Sequence, residues 1–231
     1  MNFTILIILH VAGGTIGLIS GTIAAAVIKG KKAHLLNGKI FFYAMLVTAL
    51  SALIISNLPG HHNVFLFAVG GFTLYMILSG YRAVWLKRNF GKTVHSFGWM
   101  DYAIALFAAV FGVFLLVLSV KQLMTGDMFG TVPAVFGLIC IGYALLDYRL
   151  LSGKVSVKQS WMSNHITRMM GAMIAAYTAF LVVNVHIKMQ WILWLAPSVV
   201  GGMLISKFIK KYVRLKPHAI VNNTSQLNGL Q

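Results

Sequence analysis

Seven apolar stretches, with basic residues crowded at alternate ends only, constrain this chain more than any other feature. The stretches run over roughly residues 3–28, 40–58, 63–81, 99–120, 129–146, 169–187 and 191–209. Each is close to the ~20 residues that a helix needs to cross ~30 Å of hydrocarbon. Lys29, Lys31, Lys32 and Lys39 follow the first stretch; Arg82, Lys87, Arg88 and Lys92 follow the third. Arg149, Lys154, Lys158 and Arg168 follow the fifth, and Lys207, Lys210, Lys211, Arg214 and Lys216 close the seventh. Of the 19 Lys and Arg residues, only Lys121 and Lys188 fall on the other side. Basic residues concentrate in cytoplasmic loops, so the pattern predicts an N-terminus outside and a C-terminus in the cytoplasm.

Charged residues make up 10% of the chain, against about 25% in a soluble domain. The spans use nearly all of the sequence. We therefore read an all-α polytopic membrane protein, seven transmembrane helices arranged as three helical hairpins plus a final helix, over residues 1–216. The first stretch lacks a basic leader and a small-residue cleavage site, so it is expected to remain as the first helix. Residues 217–231 turn to Asn, Ser, Gln and Gly without apolar periodicity and read as a disordered cytoplasmic tail.

A net charge of +16 raises the question of nucleic acid. Here the charges sit at the ends of apolar helices and not on a soluble basic fold, which points to the anionic lipid surface instead. Cys140, the one cysteine, excludes an internal disulfide and a thiolate metal cluster.

Small residues mark helix faces that pack on protein, because lipid gives helices no hydrophobic reason to associate. The first span carries Gly13, Gly17 and Gly21, with His10 and Gly14 beside them; the second carries His34, Gly38, Phe41, Met45, Thr48 and Ala52. In the fourth span the expected inward stripe is His95, Gly98, Tyr102, Ala105, Ala109 and Gly112. In the sixth it runs from His165 through Arg168, Ala172, Ala175 and Ala179 to His186. Gly70-Gly71, Pro133, Pro197 and Gly201-Gly202 are candidate helix breaks of the kind found at transporter sites.

The even-numbered spans thus each begin with a histidine on the basic side. Asp101 and Asp147 lie nearby, as do Arg82, Arg149, Arg168 and the hydroxyls of Tyr81, Tyr102 and Tyr148. An ionisable group within a span costs about 2.5–3.5 kcal/mol and normally has a partner or a function. Asp147 is expected to pair with Arg168 or Arg82, or else to form a proton or ligand site. Neutral imidazole is the commonest protein ligand for metals and a usual ligand of haem iron. The expected cofactor site is therefore His34, His95 and His165 with Arg168, holding haem b, or the same histidines with Asp101, holding a transition metal. A second, outer cluster is expected from His10, His61, His62 and His186. Two other readings stay open. Arg82, Arg149 and Arg168 suit a carrier for a small anion or lipid headgroup, and the polar cluster equally suits a non-catalytic subunit of a membrane complex. A membrane redox partner or a homo-oligomer is the expected protein partner.

Histidines carried toward both faces on successive helices resemble the di-haem membrane cytochromes of the b561 type, which implies electron transfer. The fifth span departs from that pattern, having no histidine. Seven-helix zinc hydrolases of the ceramidase and progestin-receptor-like group also combine three histidines with a carboxylate, but their HxxxH pair in the last helix is missing. The stretch His34-Leu35-Leu36-Asn37-Gly38-Lys39-Ile40-Phe41-Phe42-Tyr43, together with His165 to Phe180, resembles a group of bacterial multi-pass membrane proteins defined as a domain of unknown function. That resemblance implies a bacterial inner membrane and supplies no reaction.

Overall fold

The computed structural model describes residues 3–89 and 97–214. His95, Lys92, Lys216 and the tail over 217–231 lie outside the described residues. Among the described residues, seven helices are long and apolar enough to cross a membrane: α1 (Phe3–Ala26), α2 (Lys32–Ile55), α3 (Val64–Asn89), α4 (Trp99–Met124), α5 (Thr131–Leu151), α6 (Val157–Asn184) and α7 (Trp191–Ile209). A short 3₁₀ turn, Met128–Gly130, precedes α5, and a π-helical turn, Lys210–Arg214, continues α7. The chain is an all-α polytopic membrane protein.

Several helices outrun the apolar stretches that signal them. Helix α2 begins at Lys32, ahead of its apolar run, and α6 begins at Val157, more than two turns before its own. Hydropathy marks the part of a helix immersed in hydrocarbon, whereas the backbone ladder continues into the interface, where Lys and His keep their head groups wet. His165 therefore sits two turns inside α6 and not at its start.

Helix α3 occupies the centre, packed by α2, α4, α5 and α6, with Tyr75, Met76 and Ile77 fully buried. The glycines show why neighbours come so close. A Cβ on Gly13, Gly17 or Gly21 would collide with Thr48, Met45 or Phe41 of α2. Gly112 and Gly137 face each other across α4 and α5, where a Cβ on either would stand 3.0 or 2.9 Å from the other's carbonyl oxygen. Such contacts supply the dispersion that holds helices together in lipid.

None of the candidate breaks interrupts its helix. Gly70 and Gly71 lie within α3 against Ala52 and Phe111, so they are packing glycines. Pro133 lies in the first turn of α5, where an amide hydrogen has no intrahelical partner to lose. Helix α7 runs through both Pro197 and Gly201, and Gly201 packs on Ile174.

Two expected faces also need correction. The buried side of α4 is Asp101, Ala108, Phe111, Gly112, Leu115 and Ser119, while Tyr102 is exposed, so of the expected stripe Gly112 faces protein and Tyr102 does not. Helix α6 ends at Asn184, which places His186 in the following segment and breaks the ladder from His165.

Candidate functional site

At the basic end of the bundle, α1 and α2 are joined by a turn in which Gly30 has φ +80°, a conformation that L side chains rarely adopt. The turn brings His34, near the start of α2, back beneath α1. Its Nδ1 lies 2.9 Å from the Ala24 carbonyl oxygen, one of the acceptors left open where α1 ends. Lys29 closes the same end, donating to the carbonyl oxygens of Ala24 at 3.0 Å and of Ala25. The Lys29 ammonium also stands 4.7 Å from the Phe208 ring centre. Burial, helped by the neighbouring Lys211 ammonium, holds the Lys29 pKa below the ordinary lysine value.

His165 comes to the same place from α6. Its Nδ1 lies 3.0 Å from the Gly80 carbonyl oxygen of α3, and α6 can approach there because Gly80 has no side chain to meet Arg168 and Met169. The His34 and His165 ring centres are 6.4 Å apart, with the planes 84° from parallel. If each Nδ1 carries the proton it donates to its carbonyl, each Nε2 is left as the basic nitrogen, the tautomer seen in ligating histidines.

The charged residues form a separate site among α3, α4, α5 and α6. Arg82 makes a two-point pair with Asp101, Nε to Oδ1 at 2.6 Å and Nη2 to Oδ2 at 2.7 Å, and its guanidinium lies 3.6 Å over Trp85. Asp101 also accepts the Gly98 N–H at 2.8 Å, which fastens the first turn of α4. Asp147 takes Arg168 Nη2 on one oxygen at 2.6 Å and the Tyr75 hydroxyl on the other at 2.7 Å. Arg168 is buried between the rings of Tyr75 and Tyr143, 5.6 and 5.3 Å from their centres, close enough for cation–π attraction. Among the described residues its Nε has no hydrogen-bond partner. Both pairs line one half-open cavity of about 30 Å³, with Ser79 and Asn164 beside them.

The single expected site therefore divides. His34 and His165 come together. Asp101 is occupied by Arg82 and Gly98, and Arg168, although one turn from His165, is occupied by Asp147. Among the described residues no three His, Cys, Asp or Glu side chains are grouped to hold a metal ion. The outer cluster does not assemble either. His10 is taken up by Thr48 O and Ser51 Oγ of α2 at 3.1 and 3.2 Å, His61 stacks on Phe3 at 3.9 Å, and His62 and His186 are exposed.

No protein-family model, curated protein or solved structure matches this chain. Function must therefore be argued from these geometries alone. Sequence reasoning missed Tyr75 and Tyr143 and named Tyr81, Tyr102 and Tyr148, all of which are exposed. A signal for Tyr143 was present: it stands one helical turn before Asp147 and so shares its face.

Proposed function

We propose that the protein binds a haem through His34 and His165 and serves electron transfer at the basic, cytoplasmic end of the bundle. The observation that carries this reading is the meeting of two imidazoles from different helices with both Nδ1 atoms held by backbone carbonyls. His34 and His165, with ring centres 6.4 Å apart, would hold the iron through their Nε2 atoms, and the carbonyl on each Nδ1 would fix the ring. Two imidazoles suit haem iron, whose porphyrin supplies the other ligands, better than zinc, which takes about four ligands from its surroundings. When bound, the iron would supply one-electron redox chemistry. The chain's own residues orient the ligands, and Lys29 beside His165, with Lys211 beside Lys29, offers cations to propionate groups.

The one-sided charge supports a bacterial inner-membrane setting with the N-terminus outside and anionic lipid at the basic end. A membrane redox partner or a second copy of the chain would complete the electron path.

One observation favours the carrier reading, the buried and unpartnered Arg168 Nε beside the cavity. A cavity of about 30 Å³ has room for only a water or two, so it suits proton or water access to Asp147 better than a small organic anion.

Absorption spectra of the purified protein, oxidised and dithionite-reduced, test the proposal. A Soret band is expected, lost in His34→Ala and His165→Ala while each variant keeps its helical circular dichroism. No Soret band in protein supplied with haem, with iron and copper absent by elemental analysis, defeats the proposal.

A further inference from the structure

Three helices run well past their apolar stretches at the basic end of the bundle. Helix α3 continues to Asn89 although its stretch closes near residue 81, α2 begins at Lys32 ahead of a stretch that opens near residue 40, and α6 begins at Val157 ahead of one that opens near residue 169. At about 1.5 Å per residue these overhangs measure about 12, 12 and 18 Å along the helix axes. The polar layer on each side of the hydrocarbon is about 5–8 Å deep. All three ends therefore reach past the headgroups into water.

The side chains agree with that height. Trp85 and Trp161 lie beyond the apolar limits of α3 and α6, where rings anchor at the headgroup level. The Lys87 ammonium stands 4.5 Å from the Trp161 ring centre, which ties the two ends together. Arg88 lies farther along α3 than Trp85, and Lys154 and Lys158 come before Trp161 on the way into α6. With Lys31 and Lys32 at the start of α2 they form an exposed basic crown. The positive-inside rule accounts for the side on which these cations lie; the overhang lifts them above the lipid phosphates.

The chain cannot neutralise this crown from its own side chains. It has only three Asp and Glu residues. Asp101 and Asp147 are salt-bridged to Arg82 and Arg168, and Asp127 lies at the opposite end of the bundle. A surface of one sign steers a partner of the other and sets its rate of arrival, and redox encounters need only a small contact. His34 follows Lys31 by one helical turn and His165 follows Lys158 by two, so the crown rims the end that holds the paired imidazoles.

We infer that this crown docks an acidic, soluble one-electron carrier protein, an assignment that rests on the electron-transfer reading of the imidazole pair. The carrier's surface carboxylates meet Lys31, Lys32, Lys87, Arg88, Lys154 and Lys158, and its redox group faces the ends of α2 and α6.

Interferometry on the full-length protein in phosphatidylcholine nanodiscs, offered an acidic plant-type two-iron ferredoxin and an acidic flavodoxin, tests it. At about 20 mM salt at least one carrier should bind with Kd of about 1–50 μM, weakening at least about tenfold by about 200 mM. Basic cytochrome c should not bind. Arg88→Gln combined with Lys158→Gln should weaken the bound carrier at least about fivefold, whereas Lys121→Gln combined with Lys188→Gln, at the far end, should leave it unchanged. A spin label at Lys158→Cys should collide freely with a water-soluble nickel chelate. Failure of both carriers to bind, equal binding of cytochrome c, an equal effect of the two double variants, or a label shielded at phosphate depth, which assigns the cations to lipid headgroups, overturns the inference. Binding is read with or without haem, so a missing Soret band and a failed docking are separate results.

Discussion

Replacing Asp147 by Asn probes the more buried of the two ion pairs among the described residues. Asp147 and Arg168 have side chains only 10% and 3% exposed, so little solvent can replace a lost partner. Removing one member of such a pair costs about 3–5 kcal/mol, most of it from the stranded charge. Asparagine still accepts the Tyr75 hydroxyl, which places Asp147→Asn near the lower end, about 3 kcal/mol. The Arg82–Asp101 pair is the internal comparison. Arg82 is 14% exposed and rests on Trp85, and asparagine still accepts the Gly98 N–H, so Asp101→Asn should cost about 1–2 kcal/mol. Replacing both members of the buried pair with apolar residues, Asp147→Leu with Arg168→Met, should recover most of the loss, because two desolvation costs vanish with the attraction. SDS-driven unfolding in bicelles, followed by tryptophan fluorescence, measures all three variants. Asp147→Asn lying within about 1 kcal/mol of the parent, or the double variant being no more stable than the single, would refute the reasoning.

Three further outcomes are expected. Gly112→Ala, whose Cβ would stand 3.0 Å from the Gly137 carbonyl oxygen, should destabilise the bundle by about 1–3 kcal/mol, whereas Gly142→Ala, with nothing within 4 Å, should leave it unchanged or firmer in the same unfolding assay. Because the folded pKa of Lys29 is below its unfolded value, its contribution to stability should grow as pH rises through the lowered pKa toward about 10.4, and Lys29→Met should flatten that rise in melting curves. Cys140 is fully buried and gives no labelling background, so Gly153→Cys should react with impermeant maleimide only in inverted vesicles and Met189→Cys only in right-side-out cells; the opposite pattern would reverse the proposed orientation.

The spans were legible because a hydrocarbon slab imposes a length and a composition that few other settings impose, and the glycine row of α1 was legible because close approach requires small residues. Pairing was half legible. Asp147 was expected to meet Arg168 or Arg82, and only the packing decides, since Asp101 engages Arg82 with both oxygens. The inward side of α4 was half read: Gly112 does pack on α5, whereas Tyr102 is exposed and the large Phe111 and Leu115 fill the core. The histidines misled for another reason. All eight look alike as ligands on paper, yet His10 and His61 satisfy neighbours locally, and only tertiary packing singles out His34 and His165.

Each salt bridge joins the two members of one consecutive helix pair, Arg82 of α3 with Asp101 of α4 and Asp147 of α5 with Arg168 of α6. An unpaired charge would burden a lone helix leaving the translocon by about 2.5–3.5 kcal/mol. Released two at a time, the same segments enter lipid with these buried charges already paired. The order of synthesis thus matches the order of charge cancellation, and biogenesis of this bundle should proceed by helix pairs, with α3 held at the lateral gate until α4 emerges and α5 until α6 does.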